Sequence, residues 1–313
     1  SEKMTRTRAN TLDYAAPDGP RISVAIMRQR ARVTENRVGS LLVNPGGPGG
    51  SGLDFLQTWA PNLPAEIRDR FDIVAFDPRG VGQSEPLECS DNLQALTALD
   101  PTPDSEDDWE ETRRETEALA ELCAERGGNL LAHVGTLNVV RDLDEIRAAL
   151  GDEKLTYLGY SYGTVIGALY ADLFPDRVRA LVLDAAVDLS LSSDELALGQ
   201  AVGFETACDR FLDYCKERRC FSSNPDDPAT AIDELLRRVE ESPLPAARAD
   251  RPAGPGETFT GILVALYSKR SWPVLAAALE SAINGDGSAL VELTDLYLGR
   301  RPDGSYGNLL TMN

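Results

Sequence analysis

Leu155-Thr156-Tyr157-Leu158-Gly159-Tyr160-Ser161-Tyr162-Gly163-Thr164 is an apolar strand-like run that closes on a serine with glycines two residues to either side. Ala168, Leu169 and Ala171 then continue a helical pattern. This is the Gly-x-Ser-x-Gly elbow, in which small flanking residues permit a sharp strand-to-helix turn that exposes the serine hydroxyl. Ser161 at the start of that helix is a candidate nucleophile, and the helix dipole would favour negative charge developing there. A serine so presented needs a general base, and elbows of this type are followed along the chain by an acid and then a histidine. The only histidine, His133, precedes the elbow. It sits in a loop before the helix marked by Leu137, Val140, Leu143, Ile146 and Leu150, and reads as a loop residue rather than the base. Asp184, at the end of the strand after the elbow helix, reads as a loop anchor rather than the catalytic acid.

Two further strand-to-turn motifs lie upstream. Leu41-Leu42-Val43-Asn44-Pro45-Gly46-Gly47-Pro48-Gly49-Gly50-Ser51-Gly52 runs from a strand into a glycine-rich turn. Such a turn lets backbone N–H groups approach a substrate unobstructed, as an oxyanion hole requires. It lacks the Lys-Ser or Lys-Thr ending of a P-loop, and Pro48 interrupts its glycine spacing, so phosphate binding is not favoured. Phe76-Asp77-Pro78-Arg79-Gly80-Val81-Gly82-Gln83-Ser84 is a tight turn in which Asp77 and Arg79 are expected to pair and pin the loop.

Strands are expected at Arg21 to Arg28, Ser40 to Val43, Phe71 to Phe76, Leu155 to Leu158 and Val178 to Leu183, with helices between them. This alternation predicts an α/β core with a mostly parallel sheet covered on both faces. After about Asp188 only helices follow, among them Glu195 to Cys215, Ala229 to Glu240 and Trp272 to Asn284, with a loop from Leu244 to Gly256. The chain thus divides into residues 1–188, the N-terminal part of a core, and residues 189–313, a helical segment with no return to strands. The acidic stretch Asp104 to Glu111 reads as a solvated helix start, with Ser105 and Asp108 resembling a capping box.

The chain has 313 residues, 42% hydrophobic and 26% charged, with a formal charge of -20. That field repels phosphates, which argues against nucleic acid and anionic membrane surfaces as partners. No run approaches the roughly 18 apolar residues of a membrane span. The start, Ser1-Glu2-Lys3-Met4, has no signal-peptide character and fits either a mature exported protein or a cytosolic one. Of five cysteines, none shows paired zinc-ligand spacing, and no motif calls for a cofactor or metal. Disulfides in an exported protein are favoured over buried thiols, and the odd count leaves one thiol for a partner outside the chain.

The motifs NPGGPGGSG (44–52), FDPRGVGQSEP (76–86), RDLDEIRAALG (141–151), GYSYGT (159–164) and WPVLAAALESAINGDGSALVELTDLY (272–297) resemble the α/β-hydrolase fold. More narrowly, they resemble the secreted tripeptidyl aminopeptidases and related esterases of actinobacteria. The resemblance covers nearly the whole chain and departs at Pro45, where related aminopeptidases carry His. It implies Ser161 as nucleophile and an oxyanion hole from the N–H groups of Tyr162 and Gly47, with Gly46 as an additional donor. It makes residues 189–313 a helical cap, or lid, incomplete at its C-terminus. The catalytic Asp and His are then expected on a missing C-terminal portion of the same protein, together with a further cysteine. Cys89 and Cys123 are the favoured internal pair, while Cys208, Cys215 and Cys220 remain undistinguished. Peptide substrates with a free N-terminus and a secreted or cell-envelope location are implied. A carboxylesterase with the same nucleophile, or a non-catalytic binding protein of this fold, are the alternatives.

Overall fold

The computed structural model describes residues 3–90 and 92–312; the expected domain limits at residues 1 and 313 lie outside the described residues. Strands are β1 (Lys3–Thr11), β2 (Arg21–Gln29), β3 (Gly39–Asn44), β4 (Phe71–Phe76), β5 (Leu155–Tyr160) and β6 (Val178–Asp184). Helices are α1 (Gly52–Trp59), α2 (Ala65–Arg70), α3 (Gln94–Ala98), α4 (Glu106–Arg126), α5 (Gly128–Leu131), α6 (Thr136–Ala149) and α7 (Tyr162–Leu173). There follow α8 (Ser193–Arg218), α9 (Pro228–Glu241), α10 (Pro255–Leu266), α11 (Trp272–Ile283), α12 (Ser288–Leu298) and α13 (Leu309–Met312). The chain forms two compact units, one from Ser1–Cys89, Glu121–Leu189 and Gly307–Asn313, the other from Ser90–Ala120 and Ser190–Tyr306.

The first unit contains a six-stranded sheet in the order β1-β2-β4-β3-β5-β6. The β3, β4, β5 and β6 neighbours pair in parallel, while β1 with β2 and β2 with β4 pair antiparallel. Alternate side chains enter opposite faces, as strand geometry demands. Leu42, Val74, Phe76 and Tyr157 pack with Val140, Leu143 and Ile146 of α6 and Ile166 and Tyr170 of α7. Their neighbours Val43, Ile73 and Ala75 pack with Leu53 and Leu56 of α1 on the other face. The expected α/β class is therefore present as a mixed sheet covered by helices on both sides. β1 is not among the strands read from the sequence, because its nine residues, KMTRTRANT, contain a single large apolar side chain. It forms by antiparallel pairing with β2 along its whole length.

The loop after β4 is pinned, but not by an Asp77–Arg79 pair. Arg79 is fully buried and directs all five of its N–H donors elsewhere. Its Nε and Nη2 meet Asp142 at 2.7 Å each, and its remaining donors reach the carbonyls of Leu12, His133 and Thr11 at 2.8, 3.0 and 3.1 Å. Asp142 accepts further from Asn10 Nδ2 at 2.9 Å and Tyr14 Oη at 2.8 Å. A disulfide links Cys89 to Cys123, as the resemblance implies.

The second unit is helical among its described residues. Its core gathers Phe211 and Cys215 of α8, Leu235 and Val239 of α9, Leu275 and Leu279 of α11, and Leu290 and Val291 of α12. At the start of α4, Asp108 N–H donates to Ser105 Oγ and Ser105 N–H to Asp108 Oδ2, each at 3.2 Å. The acidic stretch is thus a capped helix terminus. Among the described residues no helix is long and apolar enough to cross a membrane.

Replacing Asp142 by Leu strands the Arg79 guanidinium in the interior. The expected loss is about 3–5 kcal/mol of unfolding free energy, read from urea denaturation. Acid sensitivity has a separate source. Burial works to raise the Asp72 carboxyl, but the Ala31 N–H, Arg37 and Arg28 outweigh it and hold the group below the ordinary range. Asp144 is likewise lowered against its burial by Arg147, Tyr170 and Arg177. Unfolding then takes up protons, so this stabilisation is complete above the ordinary carboxylate pKa of about 4 and is lost as pH falls below it. Asp72→Asn is expected to show a shallower fall of unfolding free energy between about pH 5 and pH 2 than the parent.

Candidate active site

Ser161 lies between the end of β5 and the start of α7, exposed, at φ 51° and ψ −123°. A non-glycine residue at positive φ is uncommon and persists only where its surroundings over-determine it. Several bonds do so here. Ser161 N–H donates to the Asp184 carbonyl at 3.0 Å, and the Ser161 carbonyl accepts from Thr164 N–H at 2.8 Å and Thr164 Oγ1 at 2.6 Å. Tyr157 Oη donates to the Gly163 carbonyl at 2.8 Å. A Cβ on Gly159 would stand 2.4 Å from that same carbonyl oxygen, so the turn can close only on glycine. Among the described residues the Ser161 hydroxyl has no hydrogen-bond partner.

The glycine-rich turn after β3 is held at both ends. At its start Asn44, 1% exposed, accepts the Gly46 N–H on Oδ1 at 2.9 Å. At its end the Asp77 carboxylate accepts Ser51 Oγ at 2.8 Å, Leu53 N–H at 3.1 Å and Gln83 N–H at 2.9 Å. Burial pushes the Asp77 carboxyl up in spite of these donors. Between the two clamps the chain passes against the elbow. A Cβ on Gly46, at φ +94°, would lie 2.5 Å from the Tyr160 carbonyl oxygen and 3.1 Å from Tyr162 N. Gly47 follows at φ +118°, joined to Pro48 by a cis peptide bond. No acceptor engages the N–H of Gly47 or of Tyr162 among the described residues.

The structure therefore brings Ser161, Tyr162 and Gly46 together, with Gly47 next along the chain. It corrects one expectation: the Gly46 N–H is committed to Asn44 and is not a free donor, so Gly46 contributes by lacking a side chain. Asn44 itself was legible only as the last residue before Pro-Gly-Gly; the role of its side chain carried no sequence signal. Thr136 is another addition, its hydroxyl 2.7 Å from Tyr162 Oη. Burial raises the Tyr157, Tyr160 and Tyr162 phenols above their ordinary range. His133 offers its carbonyl to Arg79 and to Asn138 Nδ2, and Asp184 offers its carbonyl to Ser161; neither side chain is bonded to the Ser161 hydroxyl. Among the described residues no group of three or more His, Cys, Asp or Glu is placed to hold a metal ion.

A family model described as the alpha/beta hydrolase fold matches residues 39–261, most of the chain, and the chain belongs to that family. Among curated proteins it is 40% identical to "Serine protease Hip1" of Mycobacterium tuberculosis, over 95% of this chain and 59% of that protein. It is 39% identical to "Tripeptidyl aminopeptidase" of Streptomyces lividans, over 90% of this chain and 53% of that protein. It is 38% identical to "Carboxylesterase B" of Mycobacterium tuberculosis, over 95% and 58% respectively. The chain thus spans between 53% and 59% of the length of these relatives.

Gly46→Ala places a methyl group against the elbow carbonyl at a positive φ. It is expected to lower the unfolding free energy by about 2–4 kcal/mol, read from the urea midpoint, through overpacking and backbone strain together.

Proposed function

We propose that this chain carries the nucleophile and oxyanion hole of a serine hydrolase, and that the complete protein is a peptidase acting near the free N-terminus of peptides. The observation that carries this reading is Ser161 held exposed at positive φ, with the unengaged N–H groups of Tyr162 and Gly47 in the two segments that meet at Gly46. Ser161 Oγ attacks the acyl carbon as a histidine takes its proton. The tetrahedral oxyanion is received by the Tyr162 and Gly47 N–H groups. Collapse expels the amine, which takes the proton back from the histidine, and water then hydrolyses the acyl-enzyme.

In this reading the catalytic Asp and His come from a C-terminal portion of the same protein, outside this chain. Two features support it. No base meets the Ser161 hydroxyl among the described residues, and β6 presents Val182 at 59% exposure although parallel strands are normally covered on both faces. The helical segment 189–313 serves as the cap. The aminopeptidase relative supports peptides with a free N-terminus as substrates, and the Cys89–Cys123 disulfide supports a secreted or cell-envelope location. The relative named carboxylesterase favours a second reading, in which the same residues cleave short acyl esters.

A fluorophosphonate probe applied to the longest natural form of the protein is expected to label Ser161 and to leave Ser161→Ala unlabelled. Equal labelling of both would remove Ser161 from the mechanism. Turnover of tripeptidyl amides should fall at least about a thousandfold on Ser161→Ala. It should also fall when the substrate amine is acetylated, whereas an esterase would be indifferent to that amine.

A further inference from the structure

The C-terminus of α8 places two cysteines at the positions that a particular helix stop brings into contact. Arg219 takes the left-handed conformation, φ 53° and ψ 51°. The Cys220 N–H then donates to the Cys215 carbonyl at 3.0 Å, and the Arg219 N–H to the Lys216 carbonyl at 3.4 Å. These are the 6→1 and 5→2 bonds of a Schellman motif, whose geometry sets the side chain before the last turn against the one just beyond the left-handed residue. In most helices that contact is hydrophobic; here both side chains are cysteines. Cys215 is fully buried in the helical unit's core, and Cys220 packs against the same core. The Schellman bonds therefore bring both thiols to the same end of α8 and onto the same core.

The other pairings open to these cysteines fail on distance or are already satisfied. Cys89 and Cys123 are bonded to each other. Cys208 lies seven residues before Cys215 on the same helix, a rise of about 10 Å, whereas disulfide-bonded Cα atoms stand no more than about 7 Å apart. Cys220 lies beside Cys215 and is out of reach of Cys208 for the same reason. Burial disfavours the Cys208 thiolate, and Glu205, Asp209 and Asp233 disfavour it further.

We propose that Cys215 and Cys220 form a second disulfide in the native protein, closing the C-terminus of α8 and leaving Cys208 as the one unpaired thiol of the chain. The inference rests on the exported location argued above, and not on the catalytic reading. An oxidised dithiol partner, a small disulfide or an exported thiol oxidoreductase, supplies the oxidising equivalents. The Cys220 thiolate attacks one sulfur of that disulfide and displaces the first thiolate. Cys215, giving up its proton, then attacks the Cys220 sulfur and displaces the second. Two protein thiols are oxidised, one disulfide is reduced to two thiols, and the two protons pass to the departing sulfurs.

The test is disulfide mapping of the natural exported form, denatured in acid, alkylated without reduction and cleaved with trypsin. The tryptic peptides Phe211–Lys216 and Cys220–Arg237 are expected to be linked, with Cys208 alkylated or bonded outside residues 1–313. Cys89 and Cys123 act as the internal control. If they are linked while Cys215 and Cys220 are both alkylated, the second disulfide does not exist. If all four are alkylated, the oxidising location fails with it. Cys208 found bonded to Cys215 or Cys220 overturns the pairing itself. In addition, Cys220→Ser should lower the Tm by about 2–5 °C in the absence of reductant and by less in its presence; an equal effect in both would mean that the bond contributes nothing.

Discussion

The buried Arg79–Asp142 pair is the constraint on which the sheet's loops depend. Both side chains are inaccessible, and a pair of charges in that position is seldom a net source of stability, because desolvation consumes most of the attraction. Its consequence is geometric. Five donors of one guanidinium are distributed over α6, the end of β1 and its following turn, and the loop before α6. All five are satisfied only when those segments arrive together. Two residues earlier Asp77 takes the Leu53 N–H at the start of α1 and the hydroxyl of Ser51, so the same turn that seats Arg79 also fixes where the glycine-rich segment ends. One turn thereby ties a buried salt bridge to the end of the glycine-rich segment.

Much of this was legible in the sequence wherever a single segment decided its own conformation. The alternation in β2 through β6 is written in apolar side chains that must face opposite sides of a sheet, and the elbow is written in glycines whose Cβ atoms would collide with backbone. Ser105 and Asp108 cap their helix through contacts three residues apart, which spacing alone predicts. β1 escaped because an edge strand with one long partner needs no apolar face; the pairing that forms it resides in β2. Asp77 and Arg79 were adjacent enough to suggest a pair, yet successive residues of a turn point apart. The real partner of Arg79 lies 63 positions away. The side-chain role of Asn44 was hidden for a related reason, since an asparagine at a strand end has many uses and only the folded turn selects one.

Cysteine pairing shows the same boundary from the other side. Composition could count five thiols and argue for oxidation, but it had no means of ranking Cys208, Cys215 and Cys220. The ranking follows from one left-handed residue, Arg219, whose conformation turns the chain back on the helix it has just left. Arginine carries a side chain that resists this conformation, so nothing in the local sequence announces the stop as a glycine would.

The strain at Ser161 can be weighed against what holds it. A non-glycine residue at positive φ costs on the order of 1–3 kcal/mol. A hydrogen bond within a protein returns about 0.5–1.5 kcal/mol net, so no single contact offsets that cost. Four bonds bear directly on the turn: those from Ser161 N–H, from Thr164 N–H and Oγ1, and from Tyr157 Oη. Thr164 Oγ1 in turn accepts the Val187 N–H at 3.0 Å. Together they outweigh the strain, but they do so from two directions. Tyr157 and Thr164 belong to the elbow's own strand and helix, whereas the Asp184 carbonyl and Val187 come from the end of β6 and the residues just after it. The serine's conformation is thus set jointly by β5, α7 and β6, and a disturbance of β6 reaches the hydroxyl through Asp184 without touching the elbow sequence.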